Sequence, residues 1–194
     1  SNDFDIDDEN TIQELDFCGL VAMYDPPKLS VKETIITAHK AGIKTIVLTG
    51  DNLNTAISIC NEVGIMEGSH GAYNAQNLAS LNEEEFNKVL RDTTLYARVS
   101  PTDKLRIING LKTLGYIVAM TGDGVNDGPA LKASNIGIAM GRAGTEVAKE
   151  ASDVIISDDN YKTIIKATEE GRGFYENIKK AISFLLSCNL GEIM

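Results

Sequence analysis

Short apolar runs alternate along the chain with stretches whose apolar residues recur at helical spacing. Leu15 to Tyr24 is largely apolar and stops at Asp25-Pro26-Pro27, which predicts a strand closed by a stiff extended turn, either a hinge or the proline-led start of a helix. Ser30-Val31-Lys32-Glu33 has capping-box form and predicts a helix ending at Gly42. Ile43 to Leu48 then predicts a β-branched strand, followed by Thr49-Gly50-Asp51 and a helix over Asn52 to Val63 that Gly64 closes. Met66 to Leu78 reads as a polar loop, and Ser80-Leu81-Asn82-Glu83 as a second capping box for a helix reaching Arg91. Further strands are expected at Leu95 to Val99, Tyr116 to Met120, Ile136 to Met140 and Val154 to Ser157. Helices are expected over Pro101 to Leu114, from Pro129, from Thr145, and from Tyr161 onward.

This alternation predicts an α/β fold, a parallel sheet with helices on both faces. In open sheets of that kind, ligands gather beyond the carboxyl ends of the strands. Thr49-Gly50-Asp51 and Gly122-Asp123-Gly124-Val125-Asn126-Asp127 both fall there.

Length and composition fit one globular domain, with 43% hydrophobic residues in 194. A formal net charge of −10 excludes a nucleic-acid partner, which would require a basic stripe. Any bound phosphate must be held locally, with a metal. The three cysteines, Cys18, Cys60 and Cys188, form no close-spaced pair, so neither a disulfide framework nor a zinc site is expected, and a reducing cytoplasm is. His39 and His70 are isolated and read as surface histidines. The acidic start, Ser1 to Glu9, lacks the basic head of a signal peptide.

Two carboxylates beyond a buried strand are costly unless compensated, and Mg2+ is the expected agent because it takes hard oxygen ligands, including carboxylates and phosphate. Asp123 is the candidate metal ligand. Asn126 and Asp127 are candidates for orienting a phosphoryl group and the metal's waters, with Gly122 and Gly124 allowing close backbone approach. The alternative is an Asx-type turn that satisfies local backbone donors; it accounts for one Asp but not for the whole cluster. The Thr49 hydroxyl and the Gly50 amide can donate to phosphoryl oxygens, and Lys104 can offset phosphoryl charge.

Together these residues resemble the phosphorylation domain of P-type cation-transporting ATPases, within the haloacid-dehalogenase-like phosphotransferase superfamily and its Rossmann-like sheet. Asp25-Pro26-Pro27 resembles the family's hinge motif and Thr49-Gly50-Asp51 its phosphoryl-binding threonine motif. Lys104, within Arg98-Val99-Ser100-Pro101-Thr102-Asp103-Lys104, is similar to its charge-neutralising lysine, and Thr121 to Leu131 to its magnesium loop. The resemblance implies that Asp123 binds Mg2+, that Lys104 neutralises charge and that Thr49 hydrogen-bonds the phosphoryl group. Asp25, Asp51 and Arg98 match positions near the hinge and the nucleotide. It further implies an aspartate phosphorylated by ATP within Asp-Lys-Thr-Gly-Thr, coupled to ion movement across a membrane, and a cytoplasmic location for this part of an integral membrane protein. Calcium is the favoured ion, with sodium, proton and magnesium transport open.

No Asp-Lys-Thr-Gly-Thr occurs in the chain. The resemblance therefore implies one part of a split domain whose nucleophile and ATP-binding domain lie elsewhere, in company with the remaining nucleotide-binding, actuator and membrane domains of a pump. On that basis 1–27 is an N-terminal strand and hinge segment, 28–176 the C-terminal part of the phosphorylation domain, and 177–194 the truncated start of a stalk or transmembrane helix. Ala181 to Gly191 is uncharged but too short to span a bilayer, and is expected to pack on the sheet as an amphipathic helix. The strand that carries the nucleophile lies centrally in this superfamily. Leu15 to Tyr24 is expected to fill the resulting gap, within one chain or by exchange into a dimer. Two other readings remain: a soluble Mg2+-dependent phosphatase using Asp25, against which Pro26-Pro27-Lys28 argues, and a non-catalytic binding module.

Overall fold

A computed structural model describes residues 16–21, 26–27, 30–66 and 71–193. Its elements run α1 (Ser30–Lys40), β1 (Val47–Leu48), α2 (Leu53–Glu62), β2 (Gly71–Asn74), a 3-10 segment (Ala75–Ser80), α3 (Glu83–Asp92), β3 (Thr93–Ala97) and α4 (Pro101–Thr113). They continue with β4 (Ala119–Gly122), α5 (Gly128–Ala133), β5 (Ile136–Met140), α6 (Glu146–Ala151), β6 (Val154–Ile156) and α7 (Tyr161–Ile193).

All strand pairs are parallel, as the alternation predicts. They form two three-stranded sheets rather than one, ordered β1-β3-β2 and β4-β5-β6. β3 is the centre of the first, pairing Leu95 with Val47, and β5 is the centre of the second, pairing Ile138 with Thr121 and Val154. β1 and β4 are therefore both edges.

Strand periodicity assigns the core to two faces of each sheet. On β3, Tyr96 points into a cluster with Leu78, Phe86, Leu90, Ile107 and Leu111, whereas its neighbours Leu95 and Ala97 point the other way, to Ile35, Ala56, Cys60 and Val63. On β5, Ala139 joins Ile108, Met120, Leu131 and Ala148, and Ile138 joins Ile156 and Ile164. Leu48 and Val118 each pack against both the Tyr96 cluster and the Ala139 cluster, so the two sheets share a continuous interior.

Several expectations are corrected. β1 begins at Val47, not Ile43, and β4 starts at Ala119 and takes in Thr121 and Gly122. The expected loop after Met66 contains β2, an edge strand whose Gly71-Ala72-Tyr73-Asn74 has little β propensity of its own and is ordered by pairing with β3. The α3 cap is Asn82, not Ser80: its side chain accepts from the Glu85 amide while Glu85 accepts from the Asn82 amide. Residues 16–21 of the expected first strand carry no regular structure. Phe17, Leu20 and Val21 are 80, 91 and 92% exposed, and Gly19, at φ +147°, interrupts the run. They lie away from both sheets, so that stretch fills no central position; the rest of Leu15 to Tyr24, like Asp25 and His70, lies outside the described residues. Finally, α7 is one helix of 33 residues, and its side chains from Gly171 to Leu190 are exposed instead of packed on a sheet. The apolar residues Phe174, Ile178, Ile182 and Leu186 recur every fourth position and so share one face of the helix, and that face stays exposed. Among the described residues no helix is long and apolar enough to cross a membrane.

Candidate active site

The Thr49 turn leaves the carboxyl end of β1 and the Asp123 loop leaves that of β4, the position at which open parallel sheets bind ligands. The Thr49 turn is laced to the loop after β3. Thr49 donates its N–H to Tyr96, and the consecutive amides of Arg98 and Val99 donate back to the Asp51 and Thr49 carbonyls at 3.1 and 2.9 Å. Arg98 adopts φ +55° to do so, a left-handed conformation that costs a non-glycine residue about 1 kcal/mol or more and is held here by the surrounding bonds. The Thr49 hydroxyl accepts from the Asp51 amide at 3.1 Å, which leaves its own hydrogen free to donate. Asn52 caps α2 through the Asn54 amide. Gly50, Asp51 and the Arg98 side chain stand exposed at the rim.

Val99 leads directly into α4, whose first turn is fixed by a reciprocal cap between Ser100 and Asp103. That turn carries Lys104, and its ammonium donates to Asp127 Oδ1 at 2.6 Å. Asp127 is buried, and its other oxygen accepts the Gly124 amide at 3.2 Å. The glycine of the sequence pattern that matters here is Gly122. A Cβ at that position would stand 2.6 Å from Asp127 Cβ and 2.9 Å from its Cγ, so the space it leaves is filled by Asp127 itself and not by an incoming ligand.

Asp123 and Asn126 differ from Asp127: both side chains are exposed and neither makes a hydrogen bond among the described residues. The Asp123 carbonyl is held by the Thr145 amide at 2.8 Å. The structure thus brings Lys104 and Asp127 into direct contact and joins the Thr49 turn to Lys104 through Val99 and α4. It makes no hydrogen bond between the Thr49 turn and the Asp123 loop. Sequence reasoning missed Thr145, which holds Asp123 with its amide and caps α6 with its hydroxyl; its only sequence signal was the helix start it marks.

The donor set discriminates between metals. Among the described residues no group of three or more His, Cys, Asp or Glu could hold a metal ion. One uncommitted carboxylate at a loop with free polar neighbours does fit Mg2+, which keeps several waters and takes one or two carboxylates plus phosphate oxygens.

Residues 2–135 match the family model for haloacid dehalogenase-like hydrolases, and residues 106–167 match a second model of the same description. The chain is 47% identical over 193 residues to the calcium-transporting ATPase 1 of Bacillus cereus, covering 100% of this chain and 22% of that protein. It is 50% identical to the calcium-transporting ATPase 1 of Lactococcus lactis, covering 96% of this chain and 21% of that protein. It therefore spans about a fifth of the length of these curated relatives. A solved structure of the catalytic domain of the CPx-ATPase CopB-B superposes with a TM-score of 0.54 at 27% identity, covering 73% of this chain and 45% of that one.

Proposed function

The chain belongs to the haloacid dehalogenase-like hydrolase family, and from that premise we propose that it is part of an ATP-driven cation pump, with calcium as the transported ion, that works through an aspartyl phosphate. The observation that carries this reading is the uncommitted Asp123 carboxylate, one loop away from a lysine held in place by Asp127. The identity to calcium-transporting ATPases along the whole chain supports it. In the reaction, the γ-phosphoryl group of ATP moves to a carboxylate oxygen of an aspartate outside this chain and ADP leaves; water later cleaves the acyl phosphate. Mg2+, when bound, neutralises phosphoryl oxygens.

Asp123 would hold Mg2+. Lys104 offsets the remaining phosphoryl charge from a fixed position, so little reorganisation is needed as charge shifts in the transition state. Thr49 donates its free hydroxyl hydrogen to a phosphoryl oxygen, with the Gly50 amide beside it. Asn126 orients the phosphoryl group from the outer side of the loop, and Asp51 and Arg98 stand where the nucleotide enters. Asp25, outside the described residues, is assigned by the family resemblance alone to the hinge toward the nucleotide-binding domain, which holds most of the ATP. We seat the strand bearing the nucleophile between β1 and β4, since each is an edge strand paired in parallel within its own sheet and leads at its carboxyl end into the candidate site. We place the domain in the cytoplasm, with α7 continuing toward the membrane part of the pump.

The test uses the whole pump in membrane vesicles. Asp123→Asn and Lys104→Met should each lower Ca2+-dependent phosphoenzyme formation from labelled ATP by about 100-fold, the scale for losing one fixed electrostatic group. Wild-type phosphorylation by both variants would overturn the reading. Hydrolysis of a simple phosphate ester by the chain alone, abolished by Asp25→Asn, would favour a free-standing phosphatase instead.

A further inference from the structure

We infer that Asp159 is a positioning residue for Asp123: its carboxylate shapes the turn after β5, and that turn delivers the amide that holds the Asp123 backbone. The inference rests on Asp123 being the metal ligand of the preceding section. Asp159 lies beyond β6, far in sequence from the Asp123 loop, yet its two carboxylate oxygens accept three consecutive amides. Oδ1 takes Gly141 at 2.7 Å and Arg142 at 3.0 Å, and Oδ2 takes Ala143 at 2.7 Å. Successive N–H groups converging on one anion form a concave backbone nest, filled here by the chain's own carboxylate. The Arg142 amide foremost, with Ala143 and Gly141, holds the Asp159 carboxyl below the usual carboxylate range.

The turn is tight on every side. A Cβ at Gly141 would come within 2.9 Å of the Ile156 carbonyl, and one at Gly144 would collide with the Met140 carbonyl. Arg142 Nε also donates to the Ser157 carbonyl at 3.2 Å. Asp159 itself is left-handed, at φ +51°, a conformation that Asp and Asn tolerate better than most residues. The next ordered contact after the nest is the Thr145 amide on the Asp123 carbonyl at 2.8 Å. With 141–143 fixed by Asp159 and Thr145 fixed as the α6 cap, only Gly144 separates the two anchors. Releasing the first leaves the Thr145 amide held only by its place at the head of α6, so its bond to the Asp123 carbonyl loosens.

Asp159→Asn tests this, because it keeps the left-handed backbone and one acceptor oxygen but removes the charge and the second. In the isotope-labelled chain, amide hydrogen exchange should quicken by about tenfold at Arg142 and Ala143 and, decisively, at Thr145, while Gly141, whose amide also donates to the Ile156 carbonyl at 2.8 Å, and Leu95–Ala97 in the first sheet stay protected. Titration with Mg2+ alone, followed at the Asp123 and Gly124 amides, should show affinity reduced by about threefold to tenfold. If Asn at 159 prevents folding, Asp159→Gly, which takes the same φ, carries the same expectations. Unchanged Thr145 exchange overturns the inference whatever Mg2+ does, and faster Thr145 exchange with unaltered Mg2+ affinity overturns the link to the metal. Absence of any Mg2+ response at wild-type Asp123 would instead sink the metal reading, with Thr145 exchange still deciding the clamp.

Discussion

The Lys104–Asp127 pair yields a prediction about asymmetry. The two side chains are 18% and 9% exposed and meet at 2.6 Å. Lys104→Met removes the cation and leaves a buried carboxylate with only the Gly124 amide as partner. Loss of one member of a buried pair costs about 3–5 kcal/mol, and the lower end applies here because one amide bond remains. Asp127→Asn leaves the lysine, whose long stem can swing its ammonium to water, so the loss is that of one charge-assisted hydrogen bond, about 1.5–3 kcal/mol. The double variant should be more stable than the sum of the two losses, with a coupling of about 1–2 kcal/mol. Urea denaturation of the chain and its three variants, with m-values checked for constancy, measures all four corners. An Asp127→Asn loss larger than that of Lys104→Met, or a coupling below about 0.5 kcal/mol, would refute the picture of Asp127 as the fixed anchor of Lys104.

Gly122→Ala should cost about 1–3 kcal/mol in thermal or urea denaturation and displace Asp127, since the added carbon meets Asp127 Cβ at 2.6 Å; an unchanged melting temperature would mean the loop gives way without loss. Asn82→Ala should cost about 1 kcal/mol through loss of the α3 cap, read by the same denaturation. Burial pushes the Tyr96 phenol from 10.0 up to about 12, so the folded state keeps its proton where the unfolded state releases it. Its contribution is present below pH 10 and lost as pH rises from 10 toward 12. Tyr96→Phe should lower stability at neutral pH by about 1 kcal/mol, for the lost bond to Val89, and should flatten the alkaline decline; an equally steep decline in both proteins would assign it to other groups.

The parts most legible in the sequence were those with local causes. β5 was placed at Ile136–Met140 because an apolar strand is bounded by turn residues on both sides, and α4 because Ser100-Pro101 and Asp103 specify a helix start. The family was legible in Thr121 to Leu131, where chemistry crowds several residue types into one loop. What the sequence could not display depends on partners distant along the chain. β2 exists because β3 lies beside it. Asp127 looked like a ligand-facing carboxylate in the pattern, and only the fold shows its side chain turned inward onto Lys104. Asp159 sat in a polar run, Ser157-Asp158-Asp159-Asn160, that is indistinguishable from a solvated loop until the amides of 141–143 are placed around it.

The division into two sheets raises the question of what keeps the Thr49 turn and the Asp123 loop in register, since no hydrogen bonds join β1 to β4. α4 supplies one tie: adjacent residues point to different sheets, Ile107 into the Tyr96 cluster and Ile108 into the Ala139 cluster. α7 supplies a second from the other side. Tyr161 packs against both the Leu95 and the Ile138 clusters, its hydroxyl meets Thr45 at 3.1 Å, and Arg172 donates to the Ala41 carbonyl at the end of α1. The Lys104–Asp127 bond is then the polar continuation of the α4 tie at the level of the chemistry, one turn before Ile107 and Ile108. A strand seated between β1 and β4 would add backbone bonds to both edges, while the Thr49 turn and the Asp123 loop on either side already stand on a frame set by α4 and α7.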